Sequence, residues 1–318
     1  LPLVAEGAPA PGAGTPESAV ASSPPGSSLT SGRVDGSGER PVVIADSQAR
    51  PGEIVRVVVP AGSELERVEL RDGERVLATG ARITARMTDL VELGVFLLGV
   101  NSTIAPGDYE LHGLAPDELE QFVRPFEVVP YAFRREEIPL NATLTSLRSD
   151  YDPRKVEETR VLSELVLSRD PEALYHAGPL GWPLPPETRR TSYFGDRRTY
   201  LYSGGERAQA IHHGVDFASP TGTPILSAGD GMVRMARDRI VTGKTVVIEH
   251  LPGVYSLYYH LDELNVEEGV LVEQGARLGT VGATGLATGP HLHWELRVGG
   301  VPVSPDWALE RPLLSGVP

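Results

Sequence analysis

The chain contains no cysteine, which excludes disulfides, thiolate metal sites and cysteine nucleophiles. Lysine is almost as scarce. Lys155 and Lys244 are the two in 318 residues, so lysine-based chemistry has two places to reside. No run of about 18 apolar residues occurs, so the sequence holds no helix-length stretch for crossing a bilayer. Positive charge is also short: 29 Lys+Arg against 43 Asp+Glu give a net charge of −14. Such a surface repels nucleic acid and anionic lipid. No basic segment followed by an apolar one precedes Leu1, so the expectation is that a signal peptide has been removed or the chain trimmed.

What is present divides the chain into four. Residues 1–40 are rich in Ala, Gly, Pro and Ser with no apolar repeat, which predicts a flexible tether. Residues 41–131 carry short β-rich runs such as "IVRVVVP" and "YELHGL" between turn sequences such as "RDGER". They predict a small β-sandwich of immunoglobulin-like size. His112 falls in one of these strands with no partner in the nearby sequence and reads as structural. Residues 132–185 form a linker. Within it, "DPRKVEETRVLSELVLS" places Val156, Val161, Leu162, Leu165 and Val166 roughly on one stripe, which predicts a helix. From 186 to 318 the pattern is again short strands with glycine turns, giving a mainly β, compact barrel-like domain.

Six of the eight histidines lie between 212 and 293. In "GPHLHWEL" (289–296), His291 and His293 are two apart, and alternate residues of a strand share one face. Trp294 and Leu296 are therefore expected on the other, apolar side. In "HHGVDF" (212–217) an even separation likewise puts His212 and Asp216 on one face if the chain is extended. Imidazole and carboxylate are the ligands zinc takes when thiolates are missing. Two histidines and one aspartate would leave a fourth position open. Each motif alone is weak, since His–Asp surface pairs and isolated His-x-His sequences are common without metal. Tyr193, Tyr200, Tyr202 and Tyr258 are candidates to line a groove, although aromatics in short strands more often enter the core.

The order "HHGVDFASPTGTPILSAGDG", "YYHL", "GATGLATGPHLHWEL" resembles the lysostaphin-type (LytM-like) zinc metallopeptidases over residues 188–308, beginning at "SYFGDRR". These are peptidoglycan endopeptidases with a duplicated-hybrid-motif β fold. The resemblance implies metal ligands at His212, Asp216 and His293, one zinc ion per chain, and catalytic non-ligand roles for His260 and His291. The resemblance implies the pair but not its division of labour: His291, on the same strand face as His293, is read as the base and His260 as orienter or oxyanion stabiliser, with His213 and His250 outside the chemistry. Lys244 stands where a small or amide residue is common, in a turn away from the metal.

The function expected from the resemblance is hydrolysis of peptidoglycan peptide cross-links in a periplasmic or extracellular setting. The 41–131 domain would then serve as a spacer, or contact the wall or a protein partner. Two rivals differ in class. One is a silent or autoinhibited relative that activates other wall hydrolases, with segment 132–185 as the occluder. The other is a biotinyl- or lipoyl-type carrier, suggested by "VEEGVLVEQGARLGTVGA". A carrier needs a lysine at a hairpin tip in the right setting, and Lys244 lacks it.

Overall fold

A computed structural model describes residues 44–60, 62–88 and 91–314. The expected tether at 1–40 lies outside the described residues. The protein is mostly β, with two strand systems packed against each other.

The first system takes in eight strands from Ile44–Ala45 to Glu120–Val128. Its organising strand is the 14-residue Arg75–Thr88. One half of this strand pairs with Arg67–Asp72 and the other half with Val91–Gly99, so it passes from one layer to the next. Alternation explains the packing: Val55, Val57 and Val59 of Ile54–Pro60 point into one core with Val68, Leu70, Phe96 and Leu98. Ile54, Val58, Val95 and Leu97 point out of the other face, into the apolar cluster of the C-terminal sheet. The two systems therefore share a continuous core. His112 is not isolated as the sequence suggested. Its Nδ1 lies 2.5 Å from Glu120, which the neighbouring strand brings alongside, and its Nε2 lies 3.3 Å from Glu110, two residues earlier on its own strand.

The second system is a ten-stranded, nearly closed sheet. The order along its main path is Arg190–Ser192, Gly214–Ala218, His291–Val298, Val254–Leu264, Gly243–Leu251, Gly231–Arg239 and Leu271–Val272. The central strand His291–Val298 has neighbours on both sides. As its alternation predicts, Leu292, Trp294 and Leu296 are fully buried on one face.

The segment 132–185 is more structured than one helix. Arg135–Pro139 forms a strand parallel to Arg197–Leu201, which in turn pairs with Arg207–Ile211. A short helix, Ala142–Ser149, follows, with Asn141 capping it through a 2.9 Å bond from Leu144 N–H. The expected helix spans Pro153–Leu167, with Asp152 accepting from Arg154 N–H at its N-terminus. Its Val161, Leu162, Leu165 and Val166 pack on Met235, Val247, Tyr255, Leu257 and Tyr259, whereas Val156 is exposed.

Candidate metal centre and active-site cleft

Asp216 sits in the strand Gly214–Ala218, directly opposite His293 in the adjacent antiparallel strand. His212 precedes that strand, and its imidazole reaches the same point. The close approach depends on Gly214, where a Cβ would stand 2.3 Å from the Trp294 carbonyl oxygen. His212 Nε2, Asp216 Oδ1 and His293 Nδ1 form a triangle with sides of 3.1, 2.7 and 2.9 Å. All three residues are buried. They form a cluster with the donor types and spacing to hold one metal ion.

The outer nitrogens decide how the rings present themselves. His212 Nδ1 lies 2.9 Å from the Tyr193 carbonyl. A carbonyl only accepts, so Nδ1 carries the proton and Nε2 presents a lone pair inward. His293 Nε2 is 3.0 Å from Glu295 Oε1 in the same way, leaving Nδ1 inward. Metal-binding histidines are oriented by outer partners of this kind. With both outer nitrogens protonated, two imidazole nitrogens and a carboxylate oxygen converge, an arrangement that a shared cation, whether a proton or a metal ion, holds together. A tetrahedral site with bonds of about 2.0–2.1 Å has ligand separations of about 3.3 Å, so the set fits zinc after opening by a few tenths of an ångström.

The surrounding charges are arranged to match. Burial opposes ionisation of Asp216, yet His212 and His293 outweigh it and hold the carboxyl well below its usual range. The second oxygen of Asp216 accepts from Arg198 at 2.6 Å, and Arg198 is also 3.2 Å from Glu136. Burial also opposes charge on His293, but Asp216 and Glu295 on either side prevail and raise it to about 9. Glu295 is bound in turn by Arg297 at 2.6 and 2.8 Å.

His260 and His291 stand beside this cluster, their ring centroids 4.7 Å apart. His291 Nδ1 is 2.8 Å from the Gly289 carbonyl, so the Gly-Pro turn sets its ring, and its Nε2 faces inward, 3.9 Å from Asp216. His260 Nδ1 is 2.8 Å from the Thr284 carbonyl. In a regular strand Tyr259 and His260 would face opposite sides. Here His260 has φ of +64°, in a stretch where the strand register is broken. That irregularity turns both side chains into one cleft. Tyr259 stacks on His293 with ring centroids 5.2 Å apart, and His260 stands edge-on to both, 6.2 Å from His293 and 6.4 Å from Tyr259. Burial, with the neighbouring His291 and His293, lowers His260 to about 3. Burial lowers His291 as well. Both rings are therefore neutral at pH 7, with an Nε2 acceptor toward the cleft.

The cleft has a volume of about 760 Å³ and includes all five sequence-indicated residues. His213 lies in its lining, and Lys244 does not. Instead, the Lys244 ammonium contacts the Asp262 carbonyl. His250 is fully buried elsewhere, 2.7 Å from both the Asp230 carbonyl and Ser256 Oγ. Tyr200 lines the cleft, while Tyr258 is buried in the core. Glu136, Ile138, Leu140 and Arg148 from the linker form part of the wall without filling it.

Residues 210–305 match the model of peptidase family M23. The C-terminal part of the chain is thus similar to peptidase family M23. Peptidoglycan DD-endopeptidase ShyA of Vibrio cholerae serotype O1 is 41% identical over 137 residues, 43% of this chain and 31% of that protein. DD-carboxypeptidase/endopeptidase Mpg of Neisseria meningitidis serogroup B is 43% identical over 118 residues, 37% of this chain and 26% of that protein. The match thus spans under a third of each relative. A solved structure assigned to peptidase M23 from Pseudomonas aeruginosa covers 82% of this chain and 94% of its own, at 25% identity and a TM-score of 0.56. That likeness reaches beyond the residues matched by the family model into the upstream β system.

Three groups that serve the site were missed by the sequence reading. Glu295 had a signal available, being two residues beyond His293 on the same strand face. Arg198 and Glu136 had none, because neither spacing nor composition distinguishes them from neighbouring Arg197 and Glu137.

Proposed function

We propose that the protein is a zinc-dependent endopeptidase that hydrolyses peptide cross-links of peptidoglycan. The observation carrying this reading is the convergence of three ligand-type atoms, from His212, Asp216 and His293, beside two neutral histidines in one open cleft. Zinc held by the three ligands supplies Lewis-acid polarisation of the scissile carbonyl and lowers the pKa of a water toward about 7.

The chain's own groups then handle protons. His291, neutral and with Nε2 turned inward, takes the proton of the attacking water and returns it to the leaving amine. His260 presents the same acceptor and orients that water. Asp216 is kept ionised by its histidine neighbours, and the Tyr193 carbonyl and Glu295 hold the two ligand rings in register. Substrate class and a place in the cell envelope, periplasmic or extracellular, are inferred from the names of the related enzymes. The upstream β system is assigned as a spacer or a wall- or partner-binding module.

The test is metal content of the purified chain, paired with release of muropeptides from isolated sacculi. About one zinc per chain is expected, with His291→Ala abolishing cleavage while retaining metal. Bound zinc without cleavage by the parent chain would favour a silent activator. Failure to bind metal would remove the ligand assignment.

A further inference from the structure

The charged groups around the cleft are unequally satisfied. Each carboxylate in the lining has a cationic neighbour. Glu136 and Asp216 share Arg198, Glu137 meets Arg207, and Glu295 meets Arg297 and His293. Arg198 is thereby used twice. Two cations in the lining have no carboxylate among the described residues: Arg148 and Arg189.

Their placement is specific. Arg189 lies just before the strand Arg190–Ser192, and its carbonyl accepts from Ala218 N–H at 3.0 Å. Ala218 is directly opposite His291. Arg189 is thus two strand spacings, roughly 10 Å, from the proposed base, within reach of a side chain extended along the cleft. Arg148 reaches the cleft from the helix Ala142–Ser149. Its guanidinium carbon lies 4.0 Å from the centre of the Tyr200 ring, and its Nε is buried without a hydrogen-bond partner. Tyr200 is two residues from Arg198 on the same strand, hence on the same face as the guanidinium bound to Asp216. Stacking pre-orients the planar fork of Arg148 and leaves its terminal N–H groups unspent. In a chain with net charge −14, two unneutralised guanidiniums in one cleft mark it for anionic groups.

We propose that Arg189 and Arg148 are two carboxylate-recognition subsites of the cleft. The substrates preferred are then peptides whose residues flanking the scissile bond carry free carboxylates rather than carboxamides. Arginine suits this discrimination because its fork matches a carboxylate with two parallel bonds, whereas a carboxamide presents one acceptor and an opposing N–H pair. The proposal rests on the zinc endopeptidase reading for its substrate, but its binding readout stands apart from catalysis.

The experiment uses the full zinc-loaded chain and synthetic cross-linked peptide dimers, identical except for carboxylate or carboxamide at positions flanking the scissile bond. Wild type should favour the carboxylate form by about tenfold to a hundredfold in kcat/KM, the span of a charge-assisted hydrogen-bond pair. Arg189→Gln and Arg148→Gln should each collapse the preference at one position toward unity, lowering the carboxylate substrate more than the carboxamide. In parallel, calorimetry on His291→Ala should show the same ratio as a difference in Kd for the uncleaved dimers. Equal use of both forms by wild type, or variants that lower both alike, would overturn the subsites. Absence of cleavage with the binding preference intact would overturn the endopeptidase reading and leave the subsites standing.

Discussion

Glu295→Gln isolates the charge that orients a proposed metal ligand. The carboxylate lies 3.0 Å from His293 Nε2 and is buried. Glutamine keeps the shape and one acceptor oxygen but removes the negative charge. Hydrogen bonds to charged groups contribute about 1.5–3 kcal/mol, and loss of a partner behind a metal-binding histidine weakens metal affinity about 10- to 100-fold. The two scales agree, since tenfold corresponds to about 1.4 kcal/mol. Competition for zinc against a calibrated chelator should therefore show Kd rising by one to two orders of magnitude. The confounding effect is on Arg297, which loses its 2.6 Å partner. Arg297→Gln breaks that same pair without touching His293, so its zinc Kd should stay within about threefold of wild type. If the two variants weaken zinc equally, or Glu295→Gln leaves Kd unchanged in a folded protein, the orienting role assigned to Glu295 is wrong.

The neighbouring linker residues give a matched pair. Glu136→Gln should lower kcat/KM about tenfold through Arg198 and Asp216, while Glu137→Gln, whose pair with Arg207 is exposed, should fall within about twofold; equal effects would remove the positioning role. Gly214→Ala should destabilise the fold by at least about 1–3 kcal/mol and reduce zinc content, read by urea unfolding and metal analysis, because the added carbon meets the Trp294 backbone. His250 is fully buried, and burial lowers it to about 4 from an ordinary value of 6.5. The unfolded chain thus binds the extra proton first. Its contribution to stability is complete above pH 6.5 and is lost as pH falls toward 4, by about 3 kcal/mol. Urea midpoints between pH 4.5 and 7.5 should show a flatter pH dependence for His250→Gln, and an unchanged slope would refute the assignment.

Short-range periodicity carried much of the site. His291 and His293 face the cleft, and Leu292, Trp294 and Leu296 the core, because a strand's period of two leaves no other arrangement once one face is apolar. The pairing of His212 with Asp216 was legible for a related reason, although His212 lies before the strand rather than in it. The helix at Pro153–Leu167 followed from its apolar stripe and its Asp-Pro start. The strand at Arg135–Pro139 did not, because a five-residue strand with three charges acquires its structure from its partner, not from its own pattern.

The sequence by itself determined which side chains could bind a metal, since chemistry and local spacing are properties of neighbouring residues. Only the tertiary structure decided how they are held. The irregularity at His260 turns that ring into the cleft against the strand's own alternation. Arg198 bridges the proposed ligand Asp216 to Glu136, 80 positions upstream of it. Arg148 and Arg189 line one cleft although 41 residues separate them. Such contacts depend on strand register and sheet closure, which sum over the whole core and leave no trace in any local window.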